Sequence, residues 1–250
     1  MNKLILSTGS DIHYLPNIQP YLDSIELNSN FDENYLILVD DGDINFHREK
    51  IKLVKNPISN VKCLNSVKCI QHGEFILNDF FIKYSDNDVI CFTDGDVILQ
   101  RNLTNEELNF LRNLKNGDVF VGYNASPTDT LLDESYRLGR VGVNHLEFEY
   151  DWSKIKVYNT GVLVMNKITW TNLVNEYITL YPLVDSMFSH YAKQQWLISF
   201  IINTREYFNV IEMSYDLHNH RHYPSPVGTR QEPNGDVYFE DKLVLFKHKW

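Results

Sequence analysis

Cysteine and positive charge are both scarce in this sequence. The three cysteines, Cys63, Cys69 and Cys91, are too few and too irregularly spaced for a disulfide framework or a zinc site, so we expect a protein of the reducing cytoplasm. The chain has 23 Lys and Arg against 33 Asp and Glu, a formal net charge of −10. Surfaces that bind nucleic acid or anionic lipid need Lys and Arg to neutralise phosphates. We therefore expect neither partner.

Long apolar segments are also missing. No stretch of 18 apolar residues occurs, so we expect no transmembrane helix. The apolar run near Met1 is too short for a signal peptide. Hydrophobic residues nevertheless make up 43% of the chain, which is enough for a real core. We therefore expect a single domain over residues 1–250.

Strand-like and helix-like segments alternate along the chain. We predict strands at 3–8, 35–39, 51–54, 88–93, 118–125, 157–166, 210–213 and 242–246, and helices at 17–29, 73–84, 104–115, 169–182 and 186–203. This alternation predicts an α/β fold with a mostly parallel sheet flanked by helices. Residues 126–154 show no steady period, and a long irregular segment is usually functional or mobile.

An acidic pair follows the fourth predicted strand. The apolar run ends at Thr93 and is followed by Asp94-Gly95-Asp96. Residues i and i+2 of an extended chain point the same way, and two carboxylates about 4 Å apart repel by roughly 4 kcal/mol at an effective dielectric of 20. A hard divalent cation would relieve this repulsion, and Gly95 would let a ligand approach the backbone. On local sequence alone, an Asp-Gly β-hairpin is the alternative.

Five motifs, taken in order, resemble those of the GT-A glycosyltransferases, and most of all family 8, the glycogenin and galactosyltransferase group. They are Tyr14 after the first strand, the Asp-x-Asp of Asp94 and Asp96, Tyr158-Asn159-Thr160-Gly161-Val162, the pair Gln194-Gln195, and Lys247-His248-Lys249-Trp250. Two of them depart from the family pattern. Gln194 stands where the family has an acid, and the family's Lys-Pro-Trp lacks its Pro here.

The resemblance implies a GT-A (Rossmann-like) fold and a metal-dependent transfer of sugar from a UDP-sugar to a glycan or other hydroxyl-bearing acceptor. The metal, Mn²⁺ or Mg²⁺, would be bound by Asp94, Asp96 and His248. The catalytic residues would be Asp96, Asn159 and Gln195. Family 8 also implies retention of configuration at the transferred sugar.

The same resemblance assigns a nucleotide site. Tyr14 would stack on the uracil, and Thr8 at the end of the first strand would lie beside it. Asp41 follows the second strand, where another GT-A family places an acid that contacts the base. Asp94, Gly95 and Asp96 complete the predicted nucleotide-binding set.

Several alternatives stay open at this point. If the enzyme inverts, one of Asp129, Asp133 and Glu134 could be the base that deprotonates the acceptor. His218, His220 and His222 would line one face of an extended segment, either as a second metal cluster or as a polar loop that touches donor or acceptor. A nucleotidyltransferase and a non-catalytic nucleotide-sugar-binding protein are the other functional classes. Within the transferase interpretation, residues 1–125 form the nucleotide-binding half and residues 126–250 the acceptor-binding half.

Overall fold

The computed structural model describes residues 1–38, 43–55, 83–124, 128–140, 149–189, 193–220 and 226–248. The strands of its main sheet are β1 (Leu4–Ser10), β2 (Glu33–Leu38), β3 (Ile51–Lys55), β4 (Val89–Thr93), β6 (Asp118–Tyr123), β7 (Tyr158–Asn166) and β8 (Asn209–Glu212), and their order is β3-β2-β1-β4-β7-β6-β8. The remaining strands are β5 (Val97–Leu99), β9 (His218–His220), β10 (Thr229–Gln231), β11 (Val237–Phe239), β12 (Lys242–Leu243) and β13 (Phe246–His248).

The main sheet is mostly parallel, as predicted. Strands β3, β2, β1 and β4 pair in parallel, as do β6 and β8, whereas β7 is antiparallel to its neighbours β4 and β6. The carboxyl ends of six strands therefore meet at one edge of the sheet, and β7 begins at that same edge. Ligands of open α/β sheets bind at this edge.

Helices cover both faces of the sheet. They are α1 (Gln19–Asn28), α2 (Asn105–Arg112), α3 (Leu131–Arg137), α4 (Lys167–Met187) and α5 (Gln194–Thr204), with 3₁₀ helices at Leu15–Ile18 and Trp152–Lys154. Successive residues of a strand point to opposite faces. In β1, Leu4 and Leu6 belong to the core cluster that contains α1, while Ile5 belongs to the cluster that contains α4 and α5. Burial on both faces thus explains the unbroken apolar runs at residues 4–6 of β1 and 89–92 of β4.

Two small sheets complete the described structure. Strand β13 pairs with β5 in the antiparallel and with β9 in the parallel direction, and β10, β11 and β12 form an antiparallel sheet. The hairpin alternative for the Asp94–Asp96 segment is wrong, because β4 pairs with β1 and β7 whereas β5 pairs with β13. Of the described helices, none has both the length and the apolar character needed to cross a membrane.

Three of the predicted elements differ from those in the structure. The segment 126–154 is not irregular throughout, because α3 begins there at a capping box between Thr130 and Asp133. Helix α4 continues through Pro182 to Met187 instead of ending at the proline. The single strand predicted at 242–246 is divided between β12 and β13.

Two further segments were predicted as a loop and a helix. The polar segment around His218 forms strand β9, because its backbone pairs with β13. Nearly all of the helix predicted at 73–84 lies outside the described residues.

Candidate functional site

The carboxyl end of β4 lies next to the histidine of β13. Asp94 is fixed by its N–H, which donates to the carbonyl oxygen of Gly161 at 2.8 Å. Nε2 of His248 lies 3.1 Å from Oδ1 of Asp96. One ligand atom from each of Asp94, Asp96 and His248 lies within 4.8 Å of the other two. The structure thus brings together the three residues predicted to bind a metal.

The chemistry of this group fits a divalent ion. Metal–ligand bonds of about 2.0–2.6 Å place the ligands of one ion roughly 3–5 Å apart, which is the separation found here. Two carboxylates and one imidazole suit Mn²⁺ or Mg²⁺, with the imidazole favouring the transition metal. His248 is only 1% exposed, whereas both aspartates are half-buried. An ion held here would therefore be reached from the side of the carboxylates.

Two features place His248 at this point. Strand β13 pairs with β5 so that His248 lies opposite Val97, directly after the acidic turn. The imidazole then packs on Gly161 of β7, where a Cβ would lie 2.6 Å from its Nδ1 and closer still to its Cε1. The glycine of Tyr158-Asn159-Thr160-Gly161-Val162 is required because any side chain would occupy the space of the histidine.

Asn159 lies on the same strand, two residues before Gly161. Its side chain is buried, and its Oδ1 accepts a hydrogen bond from the N–H of Gly161 at 2.9 Å. That oxygen would also lie 3.0 Å from a Cβ at Gly161, so the amide of Asn159 and the ring of His248 flank the same glycine. The predicted catalytic asparagine is therefore next to the metal-ligand group.

Tyr14 lies next to the glycine of the acidic turn. Its N–H donates to Oδ1 of Asp11 at 2.6 Å, and its half-buried ring is 3.7 Å from the position of a Cβ at Gly95. A Cβ there would overlap Cγ2 of Ile18. The glycine is thus explained by packing against Ile18, a reason that differs from the predicted approach of a ligand.

The two other residues predicted to contact the nucleotide have different outcomes. Thr8 is 1% exposed, and its hydroxyl donates to the carbonyl oxygen of Thr93 at 2.8 Å. It thereby joins β1 to the end of β4, directly beneath the acidic turn, and a direct contact with a ligand stays a prediction. Asp41 lies outside the described residues.

Gln195 belongs to a polar network near the end of β6. Its Nε2 donates to Oδ1 of Asn124 at 3.1 Å and to Oε1 of Glu134 at 3.3 Å. Arg137 donates to the carboxylates of Asp129 at 3.0 Å and Glu134 at 3.2 Å, and Asn124 donates to Asp129 at 3.0 Å. We call these five residues the Gln195 network. It links α3 and α5 to the carboxyl edge of the sheet.

The three candidate bases have different surroundings. Burial raises the pKa of Glu134, an effect that the nearby Arg137 opposes. Asp129 is held by Arg137 and Asn124. Asp133 accepts hydrogen bonds from the N–H and the hydroxyl of Thr130 at the start of α3. Its carboxylate is therefore used to cap a helix.

Sequence reasoning missed Asn124 and Arg137. Asn124 directly follows β6, as Asp94 directly follows β4, so the signal that marked the aspartate was also present for the asparagine. Arg137 carried no comparable signal, because its role depends on how α3 packs against the sheet.

Two of the three alternating histidines, His218 and His220, lie next to His248. Nε2 of His218 lies 3.4 Å from Nδ1 of His248, and the ring of His220 stands edge-on to His248 with centroids 4.4 Å apart. His222 lies outside the described residues. Within the described ranges, only Asp94, Asp96 and His248 bring three ligand atoms close enough together to hold a metal ion. The structure thus gives no support to a second histidine metal site there.

No family model matches the sequence, and no curated protein matches it. Among solved structures, the galactosyltransferase LgtC in complex with donor and acceptor sugar analogues is similar, with a TM-score of 0.58 and 12% identity over 98% of this chain and 86% of that one. The chain has the GT-A fold. The glycosyltransferase GlyE of Streptococcus pneumoniae TIGR4 is also similar, with a TM-score of 0.51 and 14% identity over 86% of this chain and 46% of that one. At such identities, the likeness concerns the GT-A fold alone.

Proposed function

We propose that the protein transfers a sugar from a UDP-sugar to a hydroxyl group of a glycan or other acceptor, with Mn²⁺ or Mg²⁺ as cofactor. The observation that carries this proposal is the meeting of Asp94, Asp96 and His248 at the carboxyl edge of a GT-A sheet. A paired carboxylate and a buried imidazole from distant parts of the chain have little structural reason to converge there. A divalent ion supplies such a reason, since it neutralises the repulsion between the carboxylates.

The donor would lie across the acidic turn. Tyr14 offers a half-buried ring beside that turn, suitable for stacking on a base, and residues 1–125 would form the nucleotide-binding half. When bound, the metal would stabilise the negative charge of the diphosphate leaving group. Asp94 and Asp96 would orient the ion, and Asn159 would hold the sugar next to it.

The acceptor would approach from the half formed by residues 126–250. The Gln195 network fixes the side-chain amide of Gln195, which can then orient the transferred sugar. For the retaining course that the family implies, the acceptor hydroxyl attacks the anomeric carbon as the bond to the diphosphate breaks on the same face, and its proton passes to a diphosphate oxygen. This course needs no nucleophilic carboxylate on the enzyme. It is therefore compatible with Gln194, an uncharged residue, at the position where the family has an acid.

An inverting transfer is the second candidate. It needs a carboxylate that accepts the proton of the acceptor hydroxyl, and a base with a raised pKa serves this purpose best. The buried Glu134, whose pKa is raised by its burial, is the residue that favours this course. The anomeric configuration of the product, determined by NMR, distinguishes the two.

Thermal melting with UDP, with and without MnCl₂, tests the donor site. A ligand at 100 times its dissociation constant stabilises a protein by about 2.7 kcal/mol, which corresponds to roughly 5–10 °C in a chain of this size. We expect a shift on addition of UDP that occurs only when MnCl₂ is present, disappears with EDTA and is lost in Asp96→Asn. The matched control is Asp118→Asn, because Asp118 lies at the opposite edge of the sheet.

The outcomes separate the functional classes. Absence of any shift with nucleotides and metal would overturn the proposal. A shift with another nucleotide would change the donor, and a UDP shift without release of UDP from a panel of UDP-sugars and acceptors would indicate a binding protein. Turnover that disappears in Asp96→Asn but persists in Asp118→Asn would establish the enzyme.

A further inference from the structure

We propose that His218 is a positioning residue that fixes the imidazole of His248 in the orientation required for metal binding. This inference rests on the proposed metal site. It concerns a residue that contributes no ligand atom to that site.

The two ring nitrogens of His248 face different partners. Nε2 lies 3.1 Å from Oδ1 of Asp96, on the side of the metal-ligand group. Nδ1 lies 3.4 Å from Nε2 of His218. Histidines that bind metals almost always donate their second N–H to an acceptor, which fixes the tautomer and the ring orientation. His218 is placed to be that acceptor, provided that its own proton is on Nδ1.

Neighbouring strands provide a separate space for each ring. The imidazole of His248 packs on Gly161 of β7, and that of His218 packs on Gly122 of β6, where a Cβ would lie 2.7 Å from Cε1 and closer still to Nδ1. The two histidines are 1% and 2% exposed, and their ring centroids are 5.5 Å apart. Both rings are thus confined by backbone on one side and by each other, which leaves His248 little freedom to turn its Nε2 away from Asp96.

The pairing of β9 with β13 explains why this contact forms. The two strands run in parallel, with Phe246 opposite His218 and His248 opposite His220. The two histidines are therefore offset diagonally across one strand pair. The sheet of β5, β13 and β9 thus holds His248, the proposed metal ligand, and His218, its positioning residue, on neighbouring strands.

Two substitutions at His218 distinguish its role as a hydrogen-bond acceptor from the effect of its side-chain volume. In His218→Gln, the side-chain amide reaches the place of Nε2 and can still accept the proton of His248. In His218→Asn, the shorter amide reaches only the place of Nδ1. Loss of an outer partner of a metal ligand typically weakens metal binding by about 10–100-fold. We expect this loss in His218→Asn and most of the wild-type affinity in His218→Gln.

The readout is the affinity for Mn²⁺ alone, measured by electron paramagnetic resonance of the free ion, with thermal melting of each variant as a check on folding. Gly122→Ala is an independent variant, since its methyl group displaces the ring of His218 from the side of β6, and it should weaken Mn²⁺ binding as well. His47→Leu removes an exposed histidine and should leave binding unchanged.

The possible results have distinct meanings. If folded His218→Asn and Gly122→Ala bind Mn²⁺ as tightly as the wild type, the inference is overturned and the proposed function is untouched. If the wild type itself binds no Mn²⁺, the proposed metal site falls and the inference falls with it. Equal losses in the Gln and Asn variants would also contradict the positioning role, because bulk and not the accepted hydrogen bond would then matter.

Discussion

The imidazole of His248 packs on the backbone of Gly161, at a point where a Cβ would lie 2.6 Å from its Nδ1. A single missing side chain on β7 therefore allows a histidine of β13 to reach the acidic turn after β4. The metal-ligand group depends on this space as much as on its own three residues.

Gly161→Ala should displace His248 and weaken Mn²⁺ binding without abolishing the fold. The added methyl group overlaps the imidazole, and the ring must move away from Asp96 to avoid it. The measurement is the UDP-dependent thermal shift in the presence of MnCl₂, which should shrink or disappear. Thr160→Ser, a change of one methyl group at the adjacent residue, should keep the shift. An unchanged shift in Gly161→Ala would mean that His248 is not a ligand.

Gln195→Ala should reduce sugar transfer far more than it reduces donor binding. The substitution removes the hydrogen bonds to Asn124 and Glu134 and the amide proposed to orient the sugar. A hydrogen bond from this amide to the sugar in the transition state, worth about 1.5 kcal/mol, corresponds to roughly 10-fold in kcat. Steady-state kinetics and the dissociation constant of UDP check the two quantities separately. The control is Gln231→Ala, at an exposed position of β10. A loss confined to UDP affinity would refute the catalytic assignment.

Asp133→Ala should destabilise the protein while leaving binding of UDP and Mn²⁺ intact. The carboxylate forms a capping box with Thr130, and loss of a helix cap costs about 1 kcal/mol. In a chain of this length, the melting temperature should fall by roughly 2–4 °C. If the variant instead retained full stability and lost turnover, Asp133 would have to be reconsidered as the base.

Glu33→Gln should remove part of the acid sensitivity of folding. Burial of Glu33 opposes its ionisation, but hydrogen bonds from Lys3, Tyr35 and Tyr84 outweigh this effect, and the pKa is lowered to about 2. The folded pKa is below the unfolded one, so the carboxylate stabilises the fold above about pH 4.3, and this contribution is lost as the pH falls towards 2.

Urea denaturation at pH 6 and pH 3 tests this dependence. Between these values, the wild type should lose roughly 1–2 kcal/mol more than Glu33→Gln does. Glu49→Gln, a change at an exposed glutamate, should lose as much as the wild type. Parallel losses in the wild type and Glu33→Gln would exclude Glu33 as an acid-sensitive group.

The acidic turn was predictable from local chemistry. Apolar residues before Asp94 indicate a strand buried on both faces, and strand geometry places Asp94 and Asp96 on one side. The position of His248 followed only from a family resemblance, because no local pattern shows that β13 pairs with β5. The start of helix α3 was predictable, because Thr130 and Asp133 have the spacing of a capping box. It was not predicted, because the polar residues around them show no helical period.

The contact between His218 and His248 could not be predicted from the sequence. It joins side chains of two strands whose parallel pairing depends on the folded arrangement of β9 and β13. The reasons for Gly122 and Gly161 are equally hidden, since each glycine serves a histidine that is distant in sequence. Local patterns predict which residues share a face of one element, whereas these contacts depend on how separate elements pack.

The pairing of β13 with β5 lets a bound ion link two distant parts of the sequence. An ion held by both Asp96 and His248 would be a removable cross-link, closing a loop that spans more than half of the sequence. Cross-links across long loops restrict the unfolded chain most. A chelator would therefore do more than stop turnover. It would also lower the free energy of unfolding, because the folded chain would lose the stabilisation that the bound ion supplies.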